Sequence, residues 1–238
     1  MILNSIQTQK IKEAALLRYP NEMCGVCTDD DFIELDNVSD HPENSFKFDP
    51  VQYAKVVEQT VYIVHSHTKE LSYVETYDLR TPSHKDFIIQ KRSGKPWLIV
   101  GCEGFEVSEP VLFPRPPSPD LLGRPFIWYV NDCYTLVMDY YKFNLGIDLD
   151  IHDDSFDWAK HRTESNLFEP FIEKWGFRQS SVDQLQNGDL IIISRHGLFA
   201  NHLLIYHEGE VIHQLGISVQ QPLSMYYTRI NKVLRYVG

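Results

Sequence analysis

The chain has 238 residues, 43% of them hydrophobic and 13% aromatic, and a formal net charge of −11. That length suits two domains of ordinary size, and the composition gives each enough apolar side chain for a core, so disorder is not expected. The acidic balance argues against nucleic acid and against a strongly anionic membrane as partners, because both need clustered Lys and Arg.

The opening MILNSIQTQKIKEAALLRYP lacks the charged start, apolar run and small-residue cleavage site of a signal peptide, so no export signal is expected. No apolar stretch approaches the roughly 20 residues that span a bilayer. Residues 5–18 read as a helix, with Ile11, Ala14, Ala15 and Leu17 or Arg18 spaced at three and four. Asp49-Pro50 is a cap followed by proline at the first helical position, opening a helix through Val51–Gln59. Val61–Val64 suits a buried strand that runs into His65-Ser66-His67. Thr81-Pro82 starts another helix carrying Asp86, and Pro96–Gly101 is strand-like.

Between Glu109 and Pro125 fall Pro110, Pro114, Pro116, Pro117, Pro119 and Pro125. Proline fixes φ and lacks an N–H, which rules out helix interior or central strand and predicts an extended linker. Beyond it, Asn131-Asp132 precedes a helix over Cys133–Phe143, with Leu136, Val137, Tyr140 and Tyr141 on one stripe. Asn187-Gly188-Asp189 is a turn before the strand Leu190–Ser194. His202–His207 and Glu210–Leu215 form a hairpin around Glu208-Gly209. With that turn, His207 faces Glu210 and His213 faces Leu204, so His213 is the diagonal neighbour of His202 and His207 points to the other face.

Two groups of residues carry chemistry. His-x-His in a strand puts both imidazoles on one face, because strand side chains alternate. Asp86 adds an oxygen, and two His plus one carboxylate is the donor set of a catalytic zinc site with a position left for water. A second zinc arrangement joins Cys24 and Cys27 to the two histidines, and buried thiols remain the alternative to it. In the other half, Cys133 sits at a helix start, where the helix field and a nearby imidazole lower a thiol's pKa.

These residues resemble two families. Over residues 1–108, Tyr19-Pro20-Asn21-Glu22-Met23-Cys24-Gly25 is similar to the P-x-E-x-C-G element of JAMM (MPN) metalloproteases. Asn37, Pro42, Phe46 and Asp49-Pro50 match a further block, and His65, His67, Ser83 and Asp86 match the metal motif. The resemblance implies Zn2+ held by His65, His67 and Asp86, Glu22 as general base, and Ser83 as oxyanion support. Fifteen residues, 68–82, separate His67 from Ser83 where the family has seven, an insertion that can act as a lid, select substrate or obstruct the site.

Over residues 126–238, Asp132-Cys133-Tyr134-Thr135-Leu136-Val137, Gly188-Asp189-Leu190, Asn201-His202 and His213 resemble the NlpC/P60 cysteine peptidases of the cell wall. That implies Cys133 as nucleophile, His202 as base and His213 as the orienting residue, with Tyr129 a candidate oxyanion support. Tyr134-Thr135 replaces the family's small Ser-Gly and narrows the cleft. The expected fold class is a two-domain α+β and α/β chain. A JAMM (MPN, cytidine-deaminase-like) domain would span 1–108, a linker 109–125, and a papain-like NlpC/P60 domain 126–238.

This order resembles the tail-tip assembly proteins of lambda-like, long-tailed bacteriophages. It implies a hydrolase of peptidoglycan stem peptides, with other tail-tip proteins as partners, located in the virion tail or in the host during assembly. A non-phage cell-wall hydrolase and a non-catalytic assembly factor are the rival expectations.

Overall fold

The computed structural model describes residues 3–68, 78–149, 168, 172–194 and 200–238. The proposed insertion falls largely outside these, since residues 69–77 are not described. The chain is mixed α/β and divides into two compact units, residues 1–115 and 116–238. Among the described residues no helix is long and apolar enough to cross a membrane.

The first unit opens with α1 (Ser5–Arg18), started by a reciprocal cap in which Asn4 accepts from the Gln7 amide and the Gln7 side chain accepts from the Asn4 amide. Its buried stripe is Gln7, Ile11, Ala14 and Ala15. A five-stranded sheet follows in the order β2 (Phe32–Leu35), β1 (Cys24–Cys27), β3 (Tyr62–His67), β4 (Trp97–Gly101), β5 (Val111–Phe113). The central strand β3 is buried along its whole length and includes the His-Ser-His segment. It pairs in parallel with β4, and α3 (His84–Ser93) makes the crossover that parallel strands require.

Two helices differ from the expected spans. The segment after Asp49 is α2 (Pro50–Ala54) and then a separate 3₁₀ turn, Val57–Gln59, because none of its side chains is buried and nothing packs it into one helix. The helix expected from Thr81-Pro82 begins at His84, since Ser83 is its cap and accepts from the Asp86 amide.

The expected linker 109–125 is shared between the units. Val111–Phe113 is an edge strand on β4, a place that tolerates the flanking prolines. At its other end, the Arg124 amide donates to Ser218 Oγ and Pro125 bridges to Ile217.

The second unit is an antiparallel sheet in the order β10 (Ile217–Pro222), β9 (Glu210–Leu215), β8 (Ala200–His207), β7 (Leu190–Ser194), β11 (Ile230–Tyr236), β6 (Phe177–Ser180). Period-two alternation splits its side chains between two layers. Leu190, Ile192, Leu203, Ile205, Ile212 and Leu234 pack with α4 (Cys133–Tyr140). Ile191, Ile193, Leu204, Val211 and Val233 pack with Leu223 and Tyr226. After Tyr140 the helix widens into a π turn, Tyr141–Leu145.

Candidate functional sites

In the first unit the loop before β1 is pinned to β3. The Glu22 amide donates to the Pro42 carbonyl at 2.6 Å, and the Glu22 carbonyl accepts from Asn37 Nδ2 at 3.0 Å. The Met23 amide donates to Ser66 Oγ at 2.8 Å. Ser66 thus faces the loop, and alternation sends His65 and His67 to the opposite side of β3.

There the two Nε2 atoms lie 2.9 Å apart. Asp86 Oδ2 is 3.2 Å from His67 Nε2 and 3.8 Å from His65 Nε2. All three residues are buried, and their donor atoms lie within 4.8 Å of one another. The surroundings fix the donors. Leu79 O lies 2.8 Å from His67 Nδ1 and accepts its proton, which leaves a lone pair on Nε2. Asp86 Oδ2 accepts from the Ser83 amide at 2.8 Å and from Ser83 Oγ at 2.7 Å. His65 stacks on Phe46 at 4.6 Å and meets the edge of Trp97 at 5.4 Å. Motif reading placed Phe46 in a block of the family pattern but gave neither ring a role at the site, since aromatic side chains distant in sequence carry no ligand signature.

The electrostatics follow from burial and proximity. Burial pushes His65 below the ordinary imidazole value. At His67 burial acts in the same direction, but the bond and charge of Asp86 outweigh it and raise the ring to about 9. Asp86 is held well below the usual carboxylate range, burial being overcome by the two imidazoles. Burial raises Glu22 to about 7. A metal ion fits this donor set: two imidazoles and a carboxylate converge, and an ion would take the place of the proton that the raised His67 ring shares with Asp86.

Ser83, expected near an oxyanion, has its hydroxyl bound to Asp86 and caps α3. The arrangement with Cys24 and Cys27 as ligands is not formed. Three residues apart in one strand they face opposite ways, and the Cys24 thiol donates to the Leu35 carbonyl at 3.5 Å. Burial raises both thiols to about 12.

In the second unit Asp132 caps α4, accepting from the Thr135 amide at 2.8 Å and, through its other oxygen, from the Tyr129 amide at 2.9 Å. Tyr129 is held at φ +63°, a conformation uncommon outside glycine. Cys133 therefore sits at the first position of a capped helix. Burial pushes its thiol up to about 12, opposed by the backbone amides of Leu203, Cys133 and Tyr134.

The hairpin has the expected register, with Leu204 opposite His213 and His207 opposite Glu210. His202 Nε2 lies 3.3 Å from His213 Nδ1, and both residues are buried. His213 Nε2 is 2.8 Å from Tyr226 Oη and 3.1 Å from Gln221 Oε1, and Tyr226 Oη also donates to Gln221 Oε1. Burial lowers His213 despite the Gln221 bond. His207 bonds Tyr140 Oη through Nδ1 at 2.9 Å, away from this group.

The thiol and the imidazole pair approach β8 from different sides. Leu203 shares the α4 layer with Cys133, whereas Leu204 lies in the Tyr226 layer, and His202 follows Leu204 by alternation. Among the described residues no hydrogen bond joins Cys133 to an imidazole. The β8–β9 ladder begins at Leu204–His213.

Residues 123–235 match the NlpC/P60 family. The chain is also similar to two phage proteins, each named tail tip assembly protein K. That of Escherichia phage N15 is 30% identical over 232 residues, which cover 93% of this chain and 90% of the phage protein. That of Escherichia phage lambda is 31% identical over 164 residues, covering 68% of this chain and 73% of the other.

Proposed function

Because the chain belongs to the tail tip assembly protein K family of lambda-like phages and carries an NlpC/P60 domain, we propose that it hydrolyses peptidoglycan stem peptides while serving in the phage tail. The observation that carries this reading is Cys133 at the first position of a capped helix, its thiol met by the backbone amides of Leu203, Cys133 and Tyr134. In the virion or during assembly its partners would be other tail-tip proteins.

The chemistry follows from these positions. His202 takes the thiol proton, and Sγ attacks the carbonyl carbon of a stem-peptide amide. The amide N–H groups facing the thiol stabilise the negative oxygen. The C–N bond breaks, and the amine leaves with the proton from His202. Water then hydrolyses the thioester, releasing the acid and restoring the thiol. His213 orients His202 throughout. Burial alone leaves almost no thiolate at neutral pH, so the thiol depends on the His202 imidazole to take its proton.

The first unit is read as a zinc-dependent peptidase or isopeptidase of JAMM type, spanning residues 1–108. His65, His67 and Asp86 would hold the ion, which when bound supplies a Lewis acid to a water and a scissile carbonyl. Glu22, with a carboxyl raised to about 7, is suited to take and return a proton near neutral pH. Ser83 steadies Asp86 and supports the oxyanion once its hydroxyl turns.

A second reading, an assembly factor without catalysis, draws on the buried thiol and its lack of an imidazole bond among the described residues. Peptidoglycan incubated with wild type and with Cys133→Ala separates the two. The peptidase reading expects stem-peptide fragments from wild type alone, and no fragments from either protein would favour the assembly factor.

A further inference from the structure

We propose that Gly101 is a positioning residue of the metal site: it leaves room beside His67 for the Leu79 backbone, whose carbonyl fixes which nitrogen of His67 faces the ion. The inference rests on the reading of His65, His67 and Asp86 as metal ligands.

β3 and β4 run in parallel, and His67 lies opposite Gly101 in their register. Paired residues of neighbouring strands turn their side chains to the same face, so Trp97, Ile99 and Gly101 share a face with His65 and His67. Trp97 meets the His65 ring on that face at 5.4 Å. Beside His67, the row ends on a residue with no side chain, and Leu79 fills the place. A methyl group on Gly101 would overlap Leu79 Cβ, with its carbon 3.4 Å from Leu79 Cα. From this seat Leu79 offers its carbonyl oxygen to His67 Nδ1 at 2.8 Å.

The glycine answers a need for space and not for an unusual backbone. Gly101 ends a buried, regular strand and is not among the glycines with positive φ. The strand itself is held. The Gly101 amide donates to Ser108 Oγ at 2.9 Å, its carbonyl accepts from the Ser108 amide at 2.9 Å, and the Cys102 amide donates to the His67 carbonyl at 2.9 Å. Leu79 lies in a turn closed by the Thr81 amide on the Asp78 carbonyl, so it is the part that yields. Relieving the overlap moves Leu79 by on the order of 1 Å, which takes its carbonyl out of hydrogen-bond range of His67. A carbonyl oxygen only accepts, so Leu79 holds a proton on Nδ1 and keeps Nε2, the atom 3.2 Å from Asp86, as the one that meets the ion. Without that bond the ring can carry its proton on Nε2, where it excludes the ion.

Zinc titrations of the full chain against a chromophoric chelator report affinity without reference to activity. Gly101→Ala should bind zinc about 10- to 100-fold more weakly than wild type, the range that the partner of a ligating histidine is worth. Gly101→Ala combined with Leu79→Gly should recover most of that loss, because the pair restores the space and keeps the carbonyl. Gly101→Ala combined with Leu79→Ala should not, because the overlap is with Cβ itself. Independently of any variant, long-range 1H–15N spectra of the zinc-loaded wild type should show His67 protonated at Nδ1 and bound through Nε2. Where His67→Ala abolishes zinc binding, three results overturn the proposal alone: zinc on Nδ1, wild-type affinity in Gly101→Ala, or no recovery on adding Leu79→Gly. Zinc binding that His67→Ala leaves unchanged would remove the metal reading, and the proposal with it.

Discussion

His65 and His67 bring their Nε2 atoms to 2.9 Å of each other, inside a strand that is buried from end to end. Neither ring can turn away, because His67 Nδ1 is tied to the Leu79 carbonyl and His65 is stacked on Phe46. Such a pair is stable when a cation or a shared proton lies between the nitrogens.

Zinc should therefore raise the melting temperature of the wild-type protein, and a chelator should reverse the rise. At a hundredfold excess over Kd the gain is about 2.7 kcal/mol. His67→Ala should abolish the shift. An equal shift in wild type and variant would place the metal elsewhere.

Glu22 should cost stability as pH rises. Its folded value is raised from 4.5 to about 7 by burial, so the folded state binds the extra proton between those values. The stabilising share is complete below the unfolded value and is lost as pH passes through about 7. Glu22→Gln removes that dependence. Metal-free, it should be more stable than wild type by about 3 kcal/mol above pH 8 and about equal at pH 4. Denaturant melts at the two pH values check this, and a variant less stable than wild type at pH 8 would contradict it.

Cys133 should depend on His202 for its reactivity. A thiol at about 12 offers roughly one part in 10⁵ of thiolate at neutral pH, against a few per cent for an ordinary cysteine. Iodoacetamide labelling of Cys133, read by peptide mass, should be at least about 10²-fold slower at pH 7 in His202→Ala than in wild type. Equal rates would mean the imidazole does not activate this thiol.

Arg124 and Asp139 form a buried ion pair at 2.6 Å, with the side chains 10% and 4% exposed. Arg124 also donates to the Ser118 and Asp120 carbonyls, tying the proline-rich segment to α4. Asp139→Ala takes this counter-charge from the buried guanidinium and should lower stability by about 3–5 kcal/mol in denaturant melts. Replacing both residues by apolar ones should cost less than that, and a double variant worse than Asp139→Ala would contradict the argument.

What sequence patterns reveal depends on where the signal is local. His65 and His67 announce themselves by spacing two apart, and the His202–His213 diagonal follows from a two-residue turn and strand period alone. β1, β2, β5, β6, β10 and β11 were not legible, being short or lacking clear alternation, and their pairing is decided by partners far along the chain. The same holds for Tyr226 and Gln221. They lie thirteen and eight residues beyond His213, and only the β9–β10 pairing and the turn after it fold them back onto its ring. The sharing of 109–125 between units escaped proline counting for a related reason, since an edge strand tolerates the residue that a central strand rejects.

The central claim is that Cys133 is the nucleophile of a peptidase, and the most direct measurement is to quench the protein in acid during turnover of stem peptides and map its peptides by mass. The account predicts a stem-peptide acyl group on Cys133, absent from His202→Ala and from unreacted protein. Release of stem-peptide fragments with no adduct on Cys133, together with undiminished release by Cys133→Ala, would contradict it.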